Sequence, residues 1–98
     1  MDTEAFRQSI VTKVYHITPA SNVTLHKHPT HDEIFYCVKG EGFGVLEGSE
    51  VPLSPGKAFI VAAGTMHALR SDGDLFVTSS LIPLADAPRP PRHAPGNQ

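Results

Sequence analysis

Three histidines fall within six positions, His26, His28 and His31, followed at once by Glu33, and a further histidine stands at His67. Imidazole and carboxylate together are the donor set that suits iron, manganese, nickel, copper or zinc. His26-x-His28 at strand spacing puts two imidazoles on one face, because strand side chains alternate with period two. Glu33 heads an apolar run in which Glu33, Phe35 and Cys37 share a face. A carboxylate facing inward there is costly unless it is paired or metal-bound. His67 follows Gly64-Thr65-Met66 and shares its face with Thr65 and Leu69. A lone histidine in a strand is more often a surface or a satisfied core residue. Three histidines and a glutamate at matched faces, framed by glycines, are harder to explain that way. We therefore expect His26, His28, Glu33 and His67 to hold one divalent transition metal per chain (Fe, Mn, Ni, Zn or Cu). Four protein ligands leave one or two positions open on a five- or six-coordinate ion, as Lewis-acid or oxygen chemistry requires. The single cysteine, Cys37, excludes an intramolecular disulfide and a cysteine-rich metal site.

The elements that must position these residues read as short strands. Ile10–Ile17, Val23–His28, Glu33–Lys39, Phe43–Glu47, Val51–Leu53, Ala58–Val61, Met66–Arg70 and Leu75–Ile82 are β-branched, aromatic or alternating. Gly, Pro, Asn, Asp and Ser punctuate them. Only Thr3–Gln8 could form a turn of helix. Strands at this rhythm predict an all-β sandwich or barrel in one domain, which 98 residues allow. We divide the chain into an N-terminal segment (1–9), a barrel (10–82) and a proline-rich tail (83–98) too poor in apolar residues to order itself. The net charge of -2 carries no footprint for nucleic acid or an anionic membrane. No run is apolar enough for a transmembrane helix. The acidic, polar first residues do not read as a secretory signal, which points to the cytoplasm.

The same residues resemble the cupin superfamily. Its first motif, G(x5)HxH(x3–4)E(x6)G, is met by His26, His28, Glu33 and Gly40, with Ala20 in place of the leading glycine. Its second, G(x5)PxG(x2)H(x3)N, is met by Gly56, Gly64 and His67, with Ala62 for proline and Ser71 for asparagine. The resemblance spans Thr24–Ser71, about half the chain. It implies a double-stranded β-helix, or jelly-roll barrel, with His26, His28, Glu33 and His67 as ligands inside the wider mouth, and it favours a homodimer. Strands apolar on both faces (Ile34, Tyr36 and Val38 on the second) also suggest a covering sheet or subunit.

His31 has three readings: a fifth ligand, an acid/base at the pocket rim that would make it catalytic, or an exposed turn residue. The substrate pocket is expected to be walled by Phe35, Cys37, Phe43, Phe59 and Leu69, with Val45 and Val61. Cys37 reads as an inert core thiol, since no base is identifiable beside it. Tyr15, Tyr36, Met66, Arg70 and Thr78 are candidates for pocket polarity. Barrels of this size are mostly filled by side chains, so the cavity should take a small molecule. Three functions compete. A metal-dependent enzyme of dioxygenase, isomerase or decarboxylase type is preferred over a non-catalytic binding or sensing module and over a structural metal. Fold does not choose among them.

Overall fold

The computed structural model describes residues 2–84. The chain opens with α1 (Thr3–Ser9). Asp2 caps it, its side chain accepting from the amides of Glu4 and Ala5, so the first-turn amides have a partner. No residue of α1 is buried. Eight strands follow: β1 (Val11–Ile17), β2 (Val23–His26), β3 (His31–Gly40), β4 (Gly42–Leu46), β5 (Ser49–Leu53), β6 (Ala58–Val61), β7 (His67–Arg70) and β8 (Leu75–Pro83). The eight expected strands are all present, and no end moves by more than two residues. Two of the three largest changes flank the histidine cluster. β2 stops at His26, and β3 begins at His31 rather than at Glu33. Pro83 closes β8 and the Leu84 amide donates to the Thr30 carbonyl. The rest of the expected tail lies outside the described residues. No helix among the described residues is long and apolar enough to cross a membrane.

The strands form two four-stranded antiparallel sheets, in the orders β1-β8-β3-β6 and β2-β7-β4-β5. Each sheet turns one face inward, as period-two alternation requires. β3 and β8 bury Glu33, Phe35, Cys37 and Leu75, Val77, Ser79. A register shift between Cys37 and Lys39 interrupts the β3–β8 ladder near its far end. The core joins Ile17, Phe35, Cys37, Leu53, Phe59, Val61, Leu69, Leu75 and Val77. This layer fills the middle of the barrel and separates its two ends, as in other small barrels. Phe35 and Phe59 stack at its centre, with ring centroids 5.8 Å apart.

Two glycines are required by their surroundings, and one of them, Gly40, is a motif position. Gly40 has φ +83°, and a Cβ there would lie 2.0 Å from the Asp74 carbonyl oxygen. Both conformation and space demand glycine. Gly44 faces inward, and a Cβ on it would lie 2.4 Å from the Phe59 ring. The ring occupies the room that a side chain on β4 would take. The outer face of the β1-β8-β3-β6 sheet exposes Val14 (72%), Ile60 (69%), Val38 (53%) and Tyr36 (46%).

Candidate metal centre

His26 ends β2 and lies directly opposite His67, the first residue of β7. Glu33 is the third residue of β3, between Val61 on β6 and Leu81 on β8. His28 follows β2 in the connection to β3. Its carbonyl accepts from the Gly64 amide at 2.9 Å, and the Asp32 carboxylate accepts from the Ala63 amide at 2.9 Å. These two bonds clasp the turn that delivers His67 to the loop that delivers His28 and Glu33. Gly64 has φ +85°, the left-handed conformation that favours glycine and bends the chain there.

The two sheets thus bring His26, His28, Glu33 and His67 together. One ligand-type atom from each lies within 4.8 Å of the others. Among the described residues no other group of three or more such side chains converges this way. Glu33 and His67 are almost fully buried, at 4% and 1% exposure, while His26 and His28 are half-buried toward the mouth. His67 Nε2 lies 2.7 Å and His28 Nε2 3.3 Å from Glu33 Oε1. The Ser79 hydroxyl donates to Glu33 Oε2 at 2.5 Å. Burial lowers the His28 pKa, the neighbouring imidazoles add to this, and the Glu33 charge opposes it.

The donor chemistry fits a metal. His26 Nδ1 lies 2.7 Å from the Thr24 carbonyl and His67 Nδ1 2.8 Å from the Thr65 carbonyl. A carbonyl oxygen only accepts, so both Nδ1 atoms carry the proton and donate. That leaves each Nε2 as the ring's ligand atom, the outer-shell arrangement that orients metal-binding histidines. A sphere of N and O ligands about 2.0–2.2 Å in radius spans up to about 4.4 Å, close to the spread observed. These residues would hold one ion through three nitrogens and one oxygen.

A cavity of about 160 Å³ opens beside this group. His26, His28, Glu33 and Phe35 line it, together with Val11, Lys13, Tyr15, Val23, Ser79 and Leu81. Of the side chains expected to wall the pocket, Phe35 is there. Cys37, Phe59 and Leu69 are packed into the core layer beneath, with Val61. Burial raises the Cys37 pKa, chiefly by desolvation of its thiolate. Phe43 is not part of this wall. Gly42 and Gly44 take the inward phase of β4, so Phe43 and Val45 turn to the outer face. Phe43 lies under the Arg70 guanidinium, 4.2 Å from its ring centroid. Arg70 itself is engaged by Glu50 in a two-pronged ion pair at 2.6 and 2.7 Å. Tyr15 lines the cavity, whereas Tyr36 and Thr78 face outward and Met66 sits in the turn before β7. His31 starts β3 at the rim, half-buried, its Nδ1 3.0 Å from the Thr30 hydroxyl. It belongs neither to the four-donor group nor to the cavity wall.

Sequence reasoning missed Ser79, Asp32 and Lys13. Alternation along β8 and β1 puts Ser79 and Lys13 on inner faces. Their pairing across 66 residues, Lys13 opposite Ser79, is not a local signal. A larger hollow of about 930 Å³ lies at the opposite end, lined by Lys39, Lys57, Glu41, Asp72 and Asp74 among others. It is open, mixed in charge and remote from the histidine group, so we place function in the smaller cavity.

The comparisons with known proteins agree with this geometry. The chain is 34% identical over 58 residues to the oxalate-binding protein of Thermotoga maritima, covering 59% of this chain and 48% of that one. It is 40% identical over 47 residues to quercetin 2,3-dioxygenase of Bacillus subtilis, covering 48% of this chain and 14% of the enzyme. The chain spans about half or less of these curated relatives. Among solved structures, a predicted oxalate decarboxylase from Thermotoga maritima superimposes with a TM-score of 0.72 at 29% identity, covering 86% of this chain and 76% of that one. A double-stranded β-helix protein from Klebsiella pneumoniae matches the fold at a TM-score of 0.70 and 22% identity, covering 76% and 67%. The Cupin domain family matches residues 13–79, and with the two sheets and the histidine–glutamate group in place, the chain belongs to the cupin family.

Proposed function

We propose that His26, His28, Glu33 and His67 hold one divalent transition metal ion, and that the protein is a metal-dependent enzyme acting on a small organic molecule. The observation that carries this is the convergence of four donors, three of which line a cavity that opens outward. What the ion supplies when bound is Lewis acidity toward ligand oxygens and, for a redox-active metal, oxygen chemistry. The chain's own residues do the rest. Ser79 and the Nδ1 bonds fix the ligands, and Val11, Val23, Phe35 and Leu81 give the cavity an apolar side. The cavity is small, about 160 Å³. That suits a molecule of oxalate's size better than a three-ring flavonol. Decarboxylase-type chemistry on a small acid is therefore favoured over quercetin-type dioxygenation.

A second reading is binding without turnover, favoured by the relative named for oxalate binding. The test is metal analysis of the purified protein, followed by melting with and without chelator and by oxalate decarboxylation and oxygen-uptake assays. One equivalent of metal, a metal-dependent rise in Tm lost in His67→Ala, and turnover are the expected results. Tight ligand binding with no turnover selects the second reading. Identical melting with and without metal refutes both. We further propose that the exposed Val14, Tyr36, Val38 and Ile60 face meets a second copy of the chain.

A further inference from the structure

We infer that Lys13 and Tyr15 form an anion-holding subsite in the metal cavity, so that the ligand is a small carboxylate spanning the metal position and the β1 wall. This rests on the metal reading above and names the substrate class for it.

The placement follows from register. Lys13 lies opposite Ser79, which lies opposite Phe35, and Val11 lies opposite Leu81, which lies opposite Glu33. Lys13 therefore lies one inward row along the sheet from Glu33 and two strands away, and on this edge strand it is exposed to solvent. Two strand spacings are about 10 Å, and the four-carbon stem of lysine covers much of that distance. Ser79, the residue between them, is bonded to Glu33. Tyr15 is the next inward residue on β1 and is half-buried. Both line the same cavity as His26, His28 and Glu33.

The charge pattern selects the ligand. Lys13 is the one lysine or arginine lining the cavity among the described residues, and Glu33 the one acid. Among those residues neither the Lys13 ammonium nor the Tyr15 hydroxyl has an ion-pair or side-chain hydrogen-bond partner, unlike Arg70 with Glu50 and Asp72. Glu33 is committed to His67, His28 and Ser79. A cation and a phenol facing a donor-lined cavity of this volume fit a carboxylate with a second oxygen-bearing group, two to four carbons long. Charge-assisted bonds to such an anion are the strong kind. The competing role for Lys13 is protection of β1, an edge strand on which an inward lysine discourages pairing with other chains.

The experiment is calorimetric titration of Mn(II) into the protein, then of malonate, oxalate or neutral malonamide into the loaded protein. It compares wild type, Lys13→Met, Lys13→Arg and Tyr15→Phe. We expect all four to bind Mn(II) alike. Lys13→Met should weaken malonate and oxalate about tenfold or more, Tyr15→Phe about threefold, and Lys13→Arg less than about threefold, the scale of one partly solvated charge-assisted contact. Malonamide binding should be the same in wild type and Lys13→Met. Retained Mn(II) binding with malonate affinity unchanged in Lys13→Met overturns the subsite and leaves the metal reading standing. So does loaded wild type that binds neither dianion. Wild type that takes up no Mn(II), Fe(II) or Zn(II) overturns the metal reading and this inference together.

Discussion

Ser79→Ala probes the support of the proposed metal centre without touching one of its four donors. The hydroxyl donates to Glu33 Oε2 at 2.5 Å, and both residues are 4% exposed. Water therefore cannot replace the bond readily. A hydrogen bond to a charged group contributes about 1.5–3 kcal/mol. The substitution removes one oxygen and opens little space, so this range describes the loss. For a domain of 60–100 residues, each kcal/mol moves Tm by about 4–8 °C, and a loss near 2 kcal/mol lowers it by about 8–16 °C. Outer-shell partners of metal ligands are worth about 10–100-fold in affinity. That is about 1.4–2.8 kcal/mol, the same size reached by a separate route. The assay is differential scanning calorimetry of the chelated protein, with competitive metal titration alongside. Ser79→Thr keeps the hydroxyl and should recover most of both losses. A chelated Ser79→Ala protein that melts like wild type, with metal affinity within threefold or so, would refute the reasoning.

Acid should destabilise the chelated protein through His28. Its folded pKa lies below the unfolded value of 6.5, chiefly through burial. Stability is then unaffected above pH 6.5 and falls as pH drops from there through the folded value. Melting from pH 8 to 5 should show that fall, His28→Gln should flatten it, and a flat wild-type profile contradicts it. Gly44→Ala should cost about 1–3 kcal/mol, the usual cost of overpacking, because its Cβ would meet the Phe59 ring at 2.4–2.5 Å. Urea unfolding checks this, and an unchanged midpoint would mean that Phe59 is free to move. Tyr36→Lys with Ile60→Lys should convert a dimer to a monomer in light scattering with the fold intact by circular dichroism. A wild type that is already monomeric at micromolar concentration refutes the second-copy proposal.

His26, His28 and Glu33 were legible because their spacing is local, and His67 because Gly64 and the second motif frame it. Glu33 and His67 sit on the inward phase of their strands, as alternation requires. His28 reaches the group by a different route from the one its spacing suggests. β2 ends at His26, and the Gly64 amide on the His28 carbonyl sets the loop instead. Phe43 was misplaced because the Gly40–Gly42 turn resets the phase of β4, and alternation alone does not say which phase a hairpin returns on. Lys13, Ser79 and Leu81 were hidden for another reason. They meet through the pairing of the first strand with the last, and register across that distance leaves no mark on neighbouring residues. Asp32 reads as an ordinary turn acid until its bond to the Ala63 amide is known.

The packed layer of Phe35, Phe59, Cys37, Leu69 and Val77 across the middle of the barrel has a kinetic consequence. It blocks passage between the two ends, so whatever enters the histidine-lined cavity must leave by the same mouth. In a catalyst built this way, product occupies the route that the next substrate takes among the described residues. Product should therefore inhibit competitively, and the mouth residues Val11, Lys13 and His28 should govern release as much as capture.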